Sequence, residues 1–309
     1  MMAGPHSQHR LGIALVVAAA VAWSTAAFFT RLLPFDSWTI LFWRGLFGGG
    51  LIATVLVLTQ GRAGLRDLTG MGRSGWLVAS LSTLGMVCFI PALQLTGVSN
   101  VAIIIATGPF VAAAFAWIWL KEVARWQTIL ASLVALCGVA IIVGNMRASS
   151  DILGIALACL MTLAIAAMTV TVRRHKDTPM VAAAALSNLL GSAVSIPFAH
   201  GIAGVTGTNL VIFAMFGFFQ VALGLTLFML GSRLLPSGQA TLIATLETPL
   251  MPFWIWLAFQ EVPSSRALVG GALVMSAVIA DIVGDRRAQT QHGSERPARS
   301  DNAERQMPS

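Results

Sequence analysis

The sequence predicts an all-α integral membrane protein of ten transmembrane helices, arranged as two inverted repeats of five helices. Three observations support this prediction: ten long apolar stretches, a likeness between the two successive sets of five, and basic residues gathered in alternate loops. Because a helix rises about 1.5 Å per residue, roughly 20 apolar residues cross about 30 Å of hydrocarbon. The predicted spans are 11–31, 38–60, 75–96, 99–120, 126–145, 152–173, 178–199, 208–231, 237–258 and 266–284.

The composition agrees with a chain that lies mostly in lipid. Of the 309 residues, 57% are hydrophobic and 10% are charged, whereas a soluble domain carries about 25% charged residues. Little of the chain is left to fold in water. The lipid bilayer is therefore an expected partner.

The basic side chains predict how the spans are oriented. The net charge of +7 would suggest nucleic-acid binding in a soluble protein, but here the basic residues gather on one side of the predicted spans, as the positive-inside rule expects. We therefore expect an inner-membrane protein with both termini in the cytoplasm and no nucleic-acid partner. The cytoplasmic side receives Arg10, Arg62, Arg66, Arg73, Lys121, Arg125, Arg173, Arg174, Lys176, Arg233 and the arginines of the C-terminal tail, and the outside receives Arg31, Arg147 and Arg266.

The chain divides into two repeats and two tails. Residues 1–10 are predicted to be a cytoplasmic tail, 11–146 the first repeat and 152–284 the second repeat. Residues 285–309 are polar, rich in Arg, Gln and Ser, and expected to be disordered. The start of the chain loosely resembles a signal peptide, but its apolar run continues to Thr30, so we expect it to be retained as the first span.

The fourth and ninth spans reveal the internal repeat. The fourth ends IIIATGPFVAAAFAWIWLKE (103–122), and the ninth reads LIATLETPLMPFWIWLAFQE (242–261). Pro109 precedes Glu122 by 13 residues and Pro249 precedes Glu261 by 12, with Trp-Ile-Trp-Leu before each Glu. Because five is an odd number, the second repeat begins on the opposite side of the membrane. Inverted repeats of this kind are typical of alternating access.

The chain resembles the EamA-type members of the drug/metabolite transporter superfamily. The resemblance extends over 11–284 and implies a secondary transporter of a small metabolite, with helices one to four and six to nine lining the path. The most similar branch is that of bacterial amino-acid and metabolite exporters, although the chain has no Tyr to line a cavity. The segments that carry the resemblance are AVAWSTAAFFTRLL (20–33), FWRG (42–45), ALQLTGVSNVAIIIATGPF (92–110) and LGLTLFMLGSRLLPSGQATLIATLETPL (223–250).

Glu247 is the first candidate for function. It lies about ten residues into the ninth span, roughly 15 Å deep and near the bilayer midplane. A carboxylate there costs at least ~2.5–3.5 kcal/mol unless it is neutralised, paired or hydrated. It is a candidate ligand for a substrate amine or a proton-coupling site; the alternative is a structural acid held by Thr245, Thr248 or a neighbouring helix. Gly108 stands near the equivalent place in the first repeat.

Arg44 and two prolines are further candidates within the spans. Arg44 lies about six residues from the outer end of the second helix, where it either snorkels to the headgroups or points inward. Its depth differs from that of Glu247 by roughly 6 Å, so the two side chains are able to pair. We expect a structural ion pair or an anchoring role for Arg44, and the alternative is contact with the substrate. Pro109 and Pro249 predict matched kinks that flank a binding site or gate, or else have no gating role.

Other side chains at mid-depth are candidates for the wall of a central cavity. Each polar one is either a ligand or a link between helices. The cavity candidates are Glu247, Trp23, Ser24, Phe89, Gln94, Thr107, Met161 and Gln220, and Thr162 and Asn188 lie at similar depth. Trp117 is also a candidate for the apolar wall of the cavity. Trp117 and Trp119 lie near a span end, however, and suit an interfacial belt at least equally well. The Gly45-xxx-Gly49 spacing permits close helix approach, either for internal packing, which we expect, or for dimerisation. The protein is expected to be a monomer or a homodimer.

The sequence predicts neither an enzyme nor a metal or cofactor site. No GxxxxGK[ST], HExxH or GxSxG motif occurs, and the cysteines at 88, 137 and 159 lie inside predicted spans without metal-ligand spacing. We therefore expect a small-molecule substrate, with export of an amino acid or similar amphipathic metabolite as the first choice. The alternative is uptake of a vitamin-like or nucleotide-like solute. A membrane enzyme acting on lipid-linked substrates would need a cluster of acids, His or Lys at one face, which the short loops lack.

Overall fold

The computed structural model confirms the all-α class. It describes residues 5–121, 149–175, 177–232 and 246–263, together with isolated positions between 130 and 137, 234 and 244, and 265 and 279. Within these residues, seven helical stretches are long and apolar enough to cross a membrane. They correspond to predicted spans one to four and six to eight. The ninth span is described continuously from residue 246, and the fifth and tenth lie largely outside the described residues.

The helical boundaries divide several spans into shorter segments. The first, fourth and eighth spans are each built from more than one segment, and a short helix lies between the second and third spans. The α-helices are α1 (Pro5–Ser24), α2 (Ala26–Leu32), α3 (Ser37–Gln60), α4 (Arg62–Thr69), α5 (Gly72–Leu95), α6 (Val98–Ala106), α7 (Gly108–Leu120), α8 (Ser149–Arg174), α9 (Met180–Ser195), α10 (Gly207–Phe216), α11 (Gly224–Ser232) and α12 (Glu247–Phe259). Residues Gly217–Leu223 form a π-helix, here called the π segment, and Ile196–Phe198 and Ile202–Gly204 form 3-10 turns.

Local polar groups explain two of these boundaries. At the junction of α1 and α2, the Thr25 hydroxyl donates to the carbonyl of Ala22 at 2.6 Å, and such back-bonding competes with the regular helix bonds. The start of α3 is capped by Asp36, whose carboxylate accepts the backbone N–H groups of Trp38 and Thr39 at 3.1 and 3.0 Å. This cap satisfies donors that a helix N-terminus otherwise leaves unpaired.

The principal helix contacts join the first half of the chain to the second. α5 packs along α8 and α9, and α3 packs against α9 and the π segment. α1 packs against α11 and α12, and α6 packs against α12 and α8. The two halves are therefore interleaved, and the interior of the protein lies between them.

The interior and the exterior are both apolar. Fully buried side chains such as Phe213, Phe216 and Met251 form one large cluster from both halves. Large apolar side chains also cover the outer surface, including Leu58 at 79% exposed and Trp117 at 58% exposed. An apolar exterior is what a lipid environment requires, because acyl chains provide no polar partners.

Glycines on α3 allow two close helix crossings. A Cβ at Gly45 would lie 2.5 Å from the carbonyl oxygen of Asn188 on α9, and one at Gly49 would lie 2.8 Å from the Cβ of Asn188. On another side of α3, a Cβ at Gly217 would lie 2.6 Å from the backbone nitrogen of Gly48. The Gly45-xxx-Gly49 pair therefore packs inside the protein, and α3 contacts the π segment backbone to backbone.

Candidate functional site

Two helices of equal length begin at breaks in the fourth and ninth spans. α7 begins at Gly108 and α12 at Glu247, and each is 13 residues long. Just before them, the backbone N–H groups of Thr107 and Leu246 each donate to the carbonyl three residues back, at 3.1 Å. These bonds tighten the turn relative to a continuous α-helix. The breaks therefore give Gly108 and Glu247 equivalent positions, as the sequence pattern predicts.

The two helices also end in the same way. Lys121 follows α7 with φ of 56°, and Gln260 follows α12 with φ of 57°. Among the described residues, they are the only non-glycine positions with positive φ. Each directly precedes the Glu of its repeat, Glu122 or Glu261. Since left-handed residues other than Gly, Asn and Asp are uncommon, this shared ending is specific local evidence for the repeat.

Glu247 is a half-buried acid at the start of α12, within the predicted ninth span. It forms no hydrogen bond or ion pair with another described residue, Thr248 included, and Thr245 lies outside the described residues. Its place at the N-terminus of α12 favours a negative charge through the helix dipole. The carboxylate is thus positioned without a protein partner among the described side chains.

The two prolines lie in the first turn of their helices. Pro109 is the second residue of α7 and Pro249 the third residue of α12. Proline is tolerated there because the first N–H groups of a helix have no intrahelical acceptor. The α-helix is interrupted shortly before both prolines. Their role in gating stays a prediction. Pro249 also borders a cavity of 260 Å³ between α6, α12 and positions beyond α12. Its lining residues are Ser99, Ala102, Ile103, Thr248, Pro249, Pro252, Pro263, Leu268, Ala272 and Met275.

Ser24 and Trp23 bring α1 into contact with the second half. Ser24 is completely buried and accepts a hydrogen bond from the Trp254 Nε1–H of α12 at 2.8 Å. Trp23 packs on Phe228 of α11 with ring centroids 5.1 Å apart, and a Cβ at Gly224 would lie 2.5 Å from its indole ring. These two cavity candidates are therefore packed at the interface between the halves.

A larger cavity of 720 Å³ lies between the first, eighth and ninth spans. Its lining is almost wholly apolar, and among the described lining side chains those of Thr25 and Trp254 carry a polar atom. The lining residues are Ala18, Val21, Ala22, Thr25, Phe28, Phe29, Phe219, Leu223, Leu227, Trp254, Leu257 and Ala258. A cavity of this size and chemistry is suited to the apolar part of a small solute.

Arg44 points inward from α3 and is 4% exposed. Its Nε and Nη2 atoms donate to Gln220 Oε1 in the π segment at 3.0 and 2.7 Å. Its Nη1 lies 3.5 Å from the Met86 sulfur of α5, and its guanidinium carbon lies 5.3 Å from the centre of the Phe216 ring. Arg44 therefore does not snorkel, and the described part contains no ion pair between it and Glu247.

The partners of Arg44 leave its charge without a counter-charge. Gln220, Met86 and Phe216 are all neutral, and no described acid lies within ion-pair distance of the guanidinium. A guanidinium keeps its positive charge in proteins. Burying an unpaired charge in a protein costs several kcal/mol, and intramembrane charges are rare for the same reason. This arrangement needs a physical explanation beyond helix packing.

The remaining candidates lie in packing or linking positions. Gln94 donates from Nε2 to the carbonyl of Phe35 at 3.0 Å and accepts a hydrogen bond from the Ser37 hydroxyl, which ties α5 to the start of α3. Thr107 donates to a carbonyl of its own helix at 2.6 Å. Phe89 is buried in the large apolar cluster, and Met161 packs against that cluster.

The structure thus assembles the candidates into separate groups. One group joins Arg44 with Gln220, and another joins Trp23 and Ser24 with α11 and α12. Sequence reasoning did not single out Trp254, Met86 or Phe216 as partners. Trp254 belongs to the repeated Trp-Ile-Trp-Leu block and was detectable from it, whereas Met86 and Phe216 have no distinguishing local pattern.

The fold and its interior charges define a multi-pass helical membrane protein built from two repeats. The EamA-like transporter family matches the chain twice, over residues 10–144 and 152–280. The chain belongs to the EamA-like transporter family, whose members are membrane transporters and not enzymes.

The comparison with solved structures concerns the fold alone. A solved crystal structure superposes with a TM-score of 0.63 at 18% sequence identity, covering 87% of this chain and 96% of that chain. A search of curated proteins finds no matching relative. The family and the fold are therefore established independently of any substrate.

Proposed function

We propose that this EamA-like protein is an inner-membrane secondary transporter that exports amino acids or similar amphipathic metabolites by alternating access. The observation that carries the proposal is Glu247, a half-buried acid with no described partner at a helix break inside the membrane. Such an acid is most readily accounted for by a cationic ligand or a transported proton. In the proposed cycle, Glu247 binds the substrate ammonium or exchanges a proton when the substrate leaves.

Matched local geometry supports ten helices in two inverted repeats. The helix starts at Gly108 and Glu247 are equivalent, and so are the left-handed endings at Lys121 and Gln260. The helix pairs are matched as well: the third and sixth spans pack together, as do the eighth and first. A two-fold relation between the repeats exchanges these two pairs and maps the second–seventh and fourth–ninth pairs onto themselves. An even total of ten spans places both termini on the same side, and the distribution of basic residues assigns that side to the cytoplasm.

Glycines support the same relation at closer range. A Cβ at Gly85 on α5 would lie 2.8 Å from the Ile165 side chain on α8, and one at Gly224 on α11 would lie 2.5 Å from the Trp23 ring on α1. Each glycine thus permits a close contact within one of the two helix pairs that the relation exchanges. Alternating access then consists of movement of one repeat against the other around a site near the midplane.

The test is counterflow into proteoliposomes with a panel of radiolabelled amino acids and vitamins. The wild-type protein is compared with Glu247→Gln at inside pH values above and below neutrality. We expect an amino acid to exchange, and the variant to lose either exchange or its pH response. Glu261→Gln is the matched control, because Glu261 lies at the exposed end of the same span and pairs with Arg31 at 3.3 Å.

The outcomes separate the parts of the proposal. Unchanged exchange and pH response in Glu247→Gln would make Glu247 a structural acid. Exchange of vitamins or nucleotide-like solutes in place of amino acids would replace the substrate class and favour the uptake alternative. Equal losses in Glu247→Gln and Glu261→Gln would point to a general effect of removing an acid from this span.

A further inference from the structure

Arg44 presents a side of its guanidinium that is suited to an oxyanion. The Nε and Nη2 atoms both donate to one neutral atom, Gln220 Oε1. These two donors form the fork that a carboxylate binds with one oxygen on each nitrogen, in a shorter and stronger charge-assisted pair. Gln220 thus occupies the position of a carboxylate without supplying its charge.

The position of Arg44 is rigidly determined by its surroundings. Gly48 and Gly217 hold α3 against the π segment, since a Cβ on Gly217 would also lie 3.0 Å from the Arg44 carbonyl oxygen. The guanidinium lies over the Phe216 ring, which stacks on Phe29 with centroids 5.1 Å apart and planes 16° apart. A guanidinium held in this way needs little reorganisation to bind an anion.

Gln220 lies in the irregular part of the eighth span, the π segment. The π segment spans seven residues, whereas π-helix usually appears as a single turn and frequently at functional sites. A return to α-helical pairing would rotate Gln220 relative to α10 and change the position of its amide relative to Arg44. The local backbone therefore provides a way to release the guanidinium.

An apolar cavity is lined by neighbours of these residues, although neither Arg44 nor Gln220 lines it directly. Phe29, which stacks on the ring beneath Arg44, lines the 720 Å³ cavity, and so does Phe219, the neighbour of Gln220. A solute with a carboxylate at one end and an apolar body at the other matches both features. A wholly apolar solute leaves the buried charge unexplained, and an inorganic anion leaves the cavity unexplained.

We propose that Arg44 is an oxyanion-binding residue that takes the carboxylate of the transported solute in exchange for Gln220. This inference rests on the proposed transport function and narrows its substrate class to carboxylate-bearing amphipathic solutes. The Arg44 site lies on α3 and the π segment, apart from Glu247 on α12.

The test uses purified protein in detergent, with sodium benzoate as a carboxylate probe and benzamide as its neutral counterpart. We expect benzoate to raise the thermal unfolding temperature of the wild type and benzamide to leave it unchanged. Gln220→Glu supplies a permanent carboxylate to Arg44, so we expect it to weaken the apparent Kd for benzoate by about 10- to 100-fold, the equivalent of one charge-assisted hydrogen bond. Gln220→Ala removes the competing amide and is expected to tighten the Kd.

Two outcomes would overturn the inference: no effect of benzoate on the wild type, or equal benzoate affinity in Gln220→Glu and wild type. Gln260→Glu controls for the added charge, because Gln260 is exposed at the end of α12. If Gln220→Glu fails to fold, Gln220→Ala decides by the direction of its Kd change. If counterflow fails but benzoate still binds, the transport proposal alone is overturned. If counterflow occurs but benzoate does not bind, the anion site alone is overturned.

Discussion

The indole N–H of Trp254 donates to the hydroxyl of Ser24 at 2.8 Å, which joins α12 of the second repeat to α1 of the first. The same hydroxyl donates to the carbonyl of Val21 at 2.8 Å, so Ser24 acts as donor and acceptor at once. It lies one residue before the break at Thr25. The bond therefore connects two of the helices that line the 720 Å³ cavity.

Removing this bond is expected to weaken the interface measurably. In Ser24→Ala, the Trp254 N–H loses its acceptor in an apolar setting, at a cost of about 1–3 kcal/mol for an unsatisfied donor. The measurement is thermal unfolding in detergent, followed by tryptophan fluorescence. Ser276→Ala is the control, because Ser276 is exposed and bonds to Leu273 of its own helix. Equal unfolding temperatures for the two variants would contradict the prediction.

The crossing of α3 with the π segment predicts a strong effect of one added methyl group. In Gly217→Ala, the new Cβ would lie 2.6 Å from the Gly48 backbone nitrogen, and backbone atoms have little room to retreat. We expect a loss of about 1–3 kcal/mol, as for overpacked cores, seen as a lower unfolding temperature. In Gly50→Ala, the new Cβ meets nothing within 4 Å, so this control is expected to be neutral or stabilising by up to about 1 kcal/mol. The reverse order of the two variants would refute the crossing.

The ion pair between Arg31 and Glu261 is expected to contribute little. Its atoms lie 3.3 Å apart, and the two side chains are 33% and 48% exposed. Exposed ion pairs contribute about 0–1 kcal/mol and are screened by salt. Arg31→Gln should therefore shift the unfolding temperature only slightly and leave exchange intact in the counterflow assay. A large loss of exchange would show that this pair takes part in the transport cycle.

The left-handed ending of α12 predicts opposite effects for two substitutions at one position. Gln260 has φ of 57°, a conformation that glycine adopts freely and β-branched residues avoid. We expect Gln260→Gly to be neutral or to stabilise the protein by up to about 1 kcal/mol, and Gln260→Val to destabilise it. Comparing their unfolding temperatures tests the assignment, and a lower value for Gln260→Gly would count against it.

The positions of most helices follow from hydrophobic length alone. The predicted span 38–60 is found as Ser37–Gln60, and 75–96 as Gly72–Leu95. Bilayer thickness constrains span length strongly, so boundaries are predictable even where the packing is not. The break before Glu247 was likewise indicated by Pro249, since proline cannot continue a preceding helix without losing a hydrogen bond.

Other features depend on contacts that a sequence does not display. The break at Thr25 has no Pro or Gly beside it and follows from a hydroxyl bonded to its own helix. The π segment has no local signal in its residues. Arg44 and Gln220 were both singled out from the sequence, but their pairing across 176 positions requires knowledge of which helices are neighbours.

The interleaving of the two halves has a consequence for biosynthesis. When α1 to α7 have been inserted, their main packing partners α8, α9, α11 and α12 have not yet left the ribosome. Arg44 must then remain in the bilayer without Gln220 until the eighth span arrives. The first half of this protein is therefore an incomplete folding unit, whose charged interior is closed only by helices synthesised late.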